Sequence, residues 1–326
     1  MSARSAESVR NRIDRGLIPA VPVPFDSGGQ IATLAQERYA QYMAEQPIAG
    51  VAVWAHTGRG LHLDRDQRQQ VLSVWRGVLS PGKVVVAGVG ASPRGVTDPS
   101  AYMDSALAMA QDALAGGADA LLVYPPTLFR GQPREPALIV DYHRRLASIG
   151  APLILFYLYE AAGGISYPTE VLRSLLSLPE VVGIKLATLD SVMTYQSVAR
   201  LLVEEFPQRL LITGEDRFLG YSLMCAARAA LIGMGAACTR LQHDLMQSYF
   251  EGRGDDFLRF SNRVDLLSQV LFVPPMEGYI RRVLWALVHL GVLDAESAHD
   301  PWGPPLEQRE FGTIGKTLRV LGELKD

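Results

Sequence analysis

Short runs of Val, Ile and Leu recur along the chain at intervals of about thirty residues. The runs that predict β-strands are 18–23, 50–54, 84–88, 120–124, 153–157, 182–186, 210–213 and 230–234. Amphipathic segments of helical periodicity lie between them, at 34–45, 67–79, 100–115, 136–147, 167–176 and 190–203. Strands that are apolar throughout and alternate with helices predict a parallel sheet covered on both faces. Eight such strands favour a closed (β/α)8 TIM barrel over an open doubly wound sheet.

The pattern divides the chain into three parts. Residues 1–15 carry four arginines and no apolar run of signal-peptide length, so they are expected to form a frayed helix or arm. Residues 16–238 are the predicted barrel. Residues 239–326 show helical patterns only and form a predicted C-terminal helical extension, to which we assign no chemistry.

Composition narrows the class of protein. The formal net charge of −3 over 326 residues predicts no nucleic-acid partner and no anionic membrane surface. No stretch approaches eighteen uninterrupted apolar residues, which argues against a membrane span. Cys225 and Cys238 lack metal-site spacing, and Gly88–Ala91 lacks the third glycine of a dinucleotide fingerprint. We therefore expect a cytoplasmic enzyme with no metal and no organic cofactor.

One lysine stands out. The chain has 27 arginines but only four lysines, and Lys185 lies inside the apolar run 181–187. Lysine can lose its proton when it is desolvated, whereas arginine cannot. A neutral buried amine can attack a carbonyl to form a Schiff base. The alternative, equally weighted from the segment alone, is that Lys185 ends its strand and extends to water.

Several motifs occur in the order in which one enzyme superfamily carries them. They are Pro22–Phe25 with Gly28–Gly29, His56–Arg59, Val86–Ala91, Gly117–Ala120, Tyr124–Pro126 and Gly183–Lys185. In these motifs the chain resembles the dihydrodipicolinate synthase and N-acetylneuraminate lyase superfamily, from about residue 16 to residue 234. The resemblance implies a TIM barrel with three C-terminal helices, a homo-oligomer that is a tetramer or dimer, and a lysine imine with pyruvate or another 2-keto acid. It assigns the imine to Lys185.

The resemblance also implies a carboxylate-binding loop after the second strand. Relatives usually read Thr-Thr-Gly-Glu there, and this chain reads His56-Thr57-Gly58-Arg59. Thr57, Gly58 and Arg59, with Ile232 on the eighth strand, are the predicted substrate-binding residues. Arg59 is either a second anion clamp or a surface charge.

The fifth strand departs furthest from the family pattern. Phe156 aligns with the proton-shuttling tyrosine of relatives, and a phenyl ring has no proton to shuttle. Thr127 takes the place of an aromatic residue that a neighbouring subunit normally donates. Ala161 takes the place of an arginine that holds the carboxylate of an aldehyde co-substrate. Authentic dihydrodipicolinate synthase activity is therefore not expected.

Three residues are candidates for the missing proton relay. His56 is the first choice, because imidazole exchanges protons near neutral pH, although it is equally consistent with a local hydrogen bond. Tyr124 ends the fourth strand. Tyr157 is adjacent to Phe156, but neighbouring strand residues face opposite sides, so it needs a bulge or a register shift to reach the site.

Two functions remain open on the sequence. The first is an aldolase- or dehydratase-type lyase that acts on a 2-keto acid through the Lys185 imine. The alternative is a degenerate homologue that binds a keto acid or related anion without efficient turnover. A metal-dependent barrel enzyme is a distant third, since no His/Asp/Glu cluster falls on the predicted strand ends.

Overall fold

The computed structural model describes residues 5–92, 96–189 and 191–324. Eight strands form one sheet in which every pairing is parallel, in the order β1-β8-β7-β6-β5-β4-β3-β2. The strands are β1 (Leu17–Pro19), β2 (Gly50–Val53), β3 (Val84–Val89), β4 (Ala120–Val123), β5 (Leu153–Leu158), β6 (Val181–Ala187), β7 (Leu210–Thr213) and β8 (Ala229–Ile232). A parallel bridge between Ala20 and Ala52 joins the two ends of the sheet. The predicted TIM barrel is confirmed.

Helices surround the barrel and continue beyond it. They are α1 (Ala6–Ile13), α2 (Thr33–Ala44), α3 (Arg65–Val78), α4 (Pro99–Ala115), α5 (Glu135–Ala147), α6 (Thr169–Leu176), α7 (Val192–Glu205), α8 (Leu219–Met224), α9 (Thr239–Phe250), α10 (Gly254–Leu271), α11 (Tyr279–His289) and α12 (Gln308–Val320). The sequence pattern missed α8, which is only six residues long. None of the helices within the described residues is long and apolar enough to span a membrane.

The first strand is shorter than predicted. It was expected to reach residue 23 but ends at Pro19. Pro22 and Pro24 have no backbone N–H, so the chain beyond Val21, whose N–H donates to the Ala52 carbonyl at 3.1 Å, cannot continue a regular hydrogen-bonded ladder.

Strand residues alternate between the barrel interior and the helix layer, as the two-residue period of a strand requires. Ile154, Phe156 and Leu158 belong to the interior cluster, whereas Leu155 and Tyr157 belong to the cluster that includes the helices. The β5–β6 register shifts between Leu153 and Ile154, and beyond it Phe156 pairs with Lys185. Lys185 therefore lies beside an inward-facing ring.

Helix α1 closes the bottom of the barrel. Ser5 caps it by accepting a hydrogen bond from the Ser8 N–H at 3.1 Å. Val9 and Ile13 are buried in the interior cluster. Arg12 pairs with Asp119 at 2.9 Å. The predicted N-terminal arm therefore contains a helix that is part of the barrel core, and the opposite end of the barrel remains the open one.

The connection from α10 to α11 returns the chain to that open end. Buried Arg282 on α11 fixes the connection, because its guanidinium donates to the Val273 carbonyl at 2.6 Å and to the Glu310 carboxylate at 2.7 Å. Glu277 in this connection and Tyr279, the first residue of α11, reach the loop after β2. The C-terminal region therefore covers part of the barrel mouth.

Candidate active site

Lys185 lies inside the barrel on β6, between Phe156 of β5 and Ile212 of β7. Its side chain is only 6 % exposed, and Nζ lies 4.1 Å from the centroid of the Phe156 ring. Burial lowers the pKa of Lys185 to about 8, while the negative charges of Asp216 and Glu215 act in the opposite direction. A pKa of about 8 leaves roughly a tenth of the amine neutral at pH 7. The lysine does not extend to water from the end of its strand.

Two buried carboxyl groups follow β7. Asp216 accepts a hydrogen bond from the Met234 N–H at 2.6 Å, and burial raises its pKa to about 6 against that bond and the charge of Lys185. Glu215 accepts from the Thr188 hydroxyl at 3.0 Å and from the Leu189 N–H at 3.2 Å. Burial raises the pKa of Glu215 to about 7. Both pKa values are therefore shifted from the usual carboxyl range towards that of Lys185.

Lys185 lines a small cavity of about 40 Å³, which is close to the volume of one water molecule in the liquid. A larger cavity of about 590 Å³ adjoins it, because His56, Leu158 and Ala162 line both. The small cavity is lined by His56, Thr57, Phe156, Leu158, Tyr159, Ala162, Lys185, Ala187, Gly214, Asp216, Gly233, Phe272 and Tyr279. It lies at the C-terminal ends of the strands, where TIM-barrel enzymes have their active sites.

Thr57 reaches the lysine cavity, as the sequence predicts. Its hydroxyl lies 2.8 Å from the Tyr279 hydroxyl. The N–H groups of Gly58 and Arg59 donate within the turn, to the carbonyls of Ala55 at 2.9 Å and His56 at 3.1 Å. These two amides are therefore occupied within the turn, whereas the side chains of His56 and Thr57 are available to the cavity.

Arg59 joins the loop to the C-terminal region. Its guanidinium donates to Asp300 from Nε at 3.2 Å and from Nη2 at 2.7 Å, and to Glu277 from Nη1 at 2.6 Å. Its side chain is 6 % exposed and that of Asp300 is 1 % exposed. Arg59 is thus buried rather than a surface charge, and it lines the larger cavity, so its role as an anion clamp stays a prediction. Its charge is neutralised by two carboxylates of this chain.

His56 stands between the two cavities. Its Nε2 lies 2.8 Å from the Glu277 carboxylate, and its ring is stacked on Tyr279 at a centroid distance of 6.4 Å. Burial alone would raise the pKa of Glu277, but His56 and Arg59 outweigh it and lower this pKa to about 2. The carboxylate is therefore ionised at neutral pH and holds both basic side chains in place.

The other two predicted relays are placed differently. Tyr124 lies inside the barrel with its ring 6.0 Å from that of Phe156, but its hydroxyl donates to the Trp54 carbonyl at 2.9 Å. Tyr157 faces the helix layer, where its ring packs on Tyr167 at 5.6 Å. The register shift precedes Ile154 and does not turn Tyr157 inward. This placement does not support Tyr157 as the relay.

Ile232, which the sequence predicts as a substrate-binding residue, does not face the lysine cavity. Its side chain belongs to the cluster that includes the helices, because inward and outward positions alternate along β8. The next residue, Gly233, lines the lysine cavity instead. Ala161 and Thr127 both line the larger cavity.

Sequence reasoning missed Asp216, Phe272, Glu277 and Tyr279. Asp216 had a usable signal, since Gly214-Glu215-Asp216 directly follows the seventh strand and barrel sites lie at strand ends. The other three lie in a region with helical periodicity only, and the expectation that this region has no part in the site was wrong.

Among the residues that the structure describes, no group of three His, Cys, Asp or Glu side chains could hold a metal ion.

Known proteins share this architecture. The structure superimposes on dihydrodipicolinate synthase from Oceanobacillus iheyensis with a TM-score of 0.82 at 18% identity, covering 98% of this chain and 100% of the other. It superimposes on the sialic acid aldolase of Ruminococcus gnavus with a TM-score of 0.80 at 15% identity, covering 96% and 98%. At these identities the solved structures support the fold.

Sequence relatives carry more specific names. The chain is 25% identical over 252 residues to the probable mitochondrial 4-hydroxy-2-oxoglutarate aldolase of Emericella nidulans, covering 74% of this chain and 77% of the other. It is 26% identical over 259 residues to the 4-hydroxy-tetrahydrodipicolinate synthase of Prochlorococcus marinus, covering 79% and 80%. The sequence model of the Dihydrodipicolinate synthetase family matches residues 14–319. That match includes the lysine strand, the Thr57 loop and α11, so the chain belongs to the dihydrodipicolinate synthetase family.

Proposed function

We propose that the protein is an aldolase- or dehydratase-type lyase that binds pyruvate or another 2-keto acid as an imine of Lys185. The observation that carries the proposal is a buried lysine with a pKa lowered to about 8, at the C-terminal end of a barrel and lining a cavity. Family membership supports a lyase of this type. In the reaction, Nζ bonds to C2 of the keto acid and the carbonyl oxygen leaves as water. The imine then accepts electrons while a bond beyond the carbonyl is broken or made.

The two cavities suggest how the substrate lies. The space beside Lys185 suits only the reacting end of a keto acid, with its carboxylate near the Thr57 hydroxyl. The remainder of the substrate extends into the larger cavity, past His56 and Ala162. The size of that space favours substrates longer than pyruvate.

The same geometry argues against dihydrodipicolinate synthesis. Phe156 faces Lys185 with a ring that has no exchangeable proton. Ala161 lines the larger cavity without a charge that could hold the carboxylate of aspartate semialdehyde. We therefore expect imine formation with pyruvate and slow or no condensation with aspartate semialdehyde. Robust condensation by the purified protein would overturn this part of the proposal.

The test is borohydride trapping with a panel of 2-keto acids, read by intact mass and peptide mapping. One adduct per chain is expected, on Lys185. Lys83 is an internal control, because its ammonium donates to the carbonyls of Ala44 at 2.6 Å and Gln46 at 2.8 Å. Lys185→Arg should abolish trapping, since a guanidinium stays protonated. No adduct across the panel, or an adduct on Lys83 or Lys316 instead, would overturn the imine mechanism and favour a binding protein without turnover.

A further inference from the structure

We propose that Tyr279, on the C-terminal helix α11, is the catalytic proton relay of this site and works together with the Thr57 hydroxyl. This proposal rests on the proposed function, because it concerns the formation of the Lys185 imine. Tyr279 lies 94 positions after Lys185 in the sequence, outside the eight strands, yet both side chains line the cavity of about 40 Å³. The two side chains therefore face one small space, which a substrate bound to Nζ would enter.

The position of the phenol is fixed from several sides. Its hydroxyl lies 2.8 Å from the Thr57 hydroxyl, and its ring packs on Phe272 at a centroid distance of 4.8 Å. Gly233 provides the space for the ring, because a Cβ atom there would lie 2.7 Å from Cε2 of Tyr279 and 3.1 Å from Oγ1 of Thr57. A packed ring with its hydroxyl paired to a second hydroxyl is an oriented donor and acceptor.

The other nearby groups are less suited to this role. Phe156 has no exchangeable proton. The Tyr124 hydroxyl already donates to a backbone carbonyl, and Tyr157 faces the helix layer. His56 is paired with Glu277 through Nε2. Tyr159 and Asp216 also line the cavity, and Tyr279 and Thr57 are distinguished from them by the direct contact between their two hydroxyls.

The step balances with these groups alone. The neutral amine of Lys185 carries two protons. As the Nζ–C2 bond forms, the electron pair of the carbonyl moves to the oxygen, which takes the Tyr279 proton, and a nitrogen proton returns to the phenol through Thr57. A second exchange of the same kind breaks the C2–O bond and releases water. Both amine protons leave with that water, and Tyr279 ends as a neutral phenol.

Burial supports this cycle in one respect. It raises the pKa of Tyr279 well above the usual value, so the side chain stays protonated and exchanges protons without accumulating as phenolate. A relay that returns to its starting state can act in both formation and hydrolysis of the imine.

The experiment compares Tyr279→Phe with the wild-type protein in cyanoborohydride trapping of pyruvate, at saturating keto acid and reductant. The substitution keeps the ring and its packing on Phe272. Trapping is expected on Lys185 to the same final extent but about 10²- to 10⁴-fold more slowly, the usual effect of losing a placed proton relay. Tyr157→Phe is the matched control, because it removes a hydroxyl from a buried tyrosine outside the site, and its rate should equal that of the wild type.

A second variant tests whether the Thr57 and Tyr279 hydroxyls act in one relay. Thr57→Val removes the partner hydroxyl with little change in shape, and it should slow the maximal rate as Tyr279→Phe does. The double variant should be no slower than either single one, because both act in one relay. If the double variant instead loses rate by the product of the two single losses, the two hydroxyls do not act in one relay. A wild-type rate in Tyr279→Phe would overturn the proposal and leave the lysine imine intact. Absence of any wild-type adduct would overturn the proposed function, and the relay with it.

Discussion

The pKa of Lys185 depends on Asp216, and replacing this carboxylate gives a prediction with a definite sign. Burial lowers the pKa of Lys185 and the Asp216 charge raises it, with a result of about 8. The change Asp216→Asn removes the charge but keeps an oxygen that can accept from the Met234 N–H. The lysine pKa must therefore fall further in the variant.

The magnitude follows from the charges involved. An opposite charge close to a titrating group typically shifts its pKa by about 1 to 3 units. A fall of about 1 unit takes the neutral fraction of Lys185 at pH 7 from about a tenth to about a half, so trapping becomes about fivefold faster. Below pH 6 the difference should vanish, because burial raises the pKa of Asp216 to about 6 and the wild-type carboxyl is then largely neutral.

The assay is the initial rate of cyanoborohydride trapping of pyruvate between pH 5 and 10, read by intact mass. Glu215→Gln is the matched control, since Glu215 is a neighbouring buried carboxyl that acts on Lys185 more weakly. Its midpoint should move less than that of Asp216→Asn. A midpoint for Asp216→Asn at or above the wild-type value would refute the view that burial and this carboxylate set the lysine pKa.

Two further predictions concern the loop after β2. Asp300→Ala should lower the free energy of unfolding in urea by about 3 kcal/mol, because it leaves the buried Arg59 charge with only Glu277. Asp141→Ala, which breaks the exposed pair with Arg145, should cost less than about 1 kcal/mol, and equal losses would contradict the argument. Thr57→Ala should weaken keto-acid binding by about 1–3 kcal/mol, measured from the saturation of trapping, whereas Thr57→Ser should retain most of it. Unchanged binding in folded Thr57→Ala would show that this hydroxyl does not hold the carboxylate.

The barrel and the strand that carries its lysine were predictable because both follow from local patterns. Eight apolar runs at regular spacing give the strands, and the two-residue period along β5 places Phe156 inside the barrel and Tyr157 outside it. The inward turn of the lysine also depends on the β5–β6 irregularity, where a Cβ at Gly183 would lie 2.1 Å from the Leu210 carbonyl oxygen. That detail has no signature in the hydrophobic pattern.

The contribution of the C-terminal region was not predictable in the same way. A helix pattern states which face is apolar but not which distant loop the helix contacts, so the pairs Thr57–Tyr279 and Arg59–Asp300 needed the structure. A cytoplasmic location and a homo-oligomer stay predictions. One relative is named as mitochondrial, and one solved structure of this fold is described as a monomeric dihydrodipicolinate synthase variant.

The ion pairs of Arg59 with Glu277 and Asp300 have a consequence for the order in which the site forms during synthesis. A ribosome makes the Thr57 loop and the Lys185 strand well before α11, and early segments begin to fold while later ones are still being made. Until residues 277–300 have emerged, the loop lacks its two carboxylate partners and the lysine cavity lacks one wall. A nascent chain therefore carries the Lys185 amine without an enclosed cavity until residues 277–300 have been made.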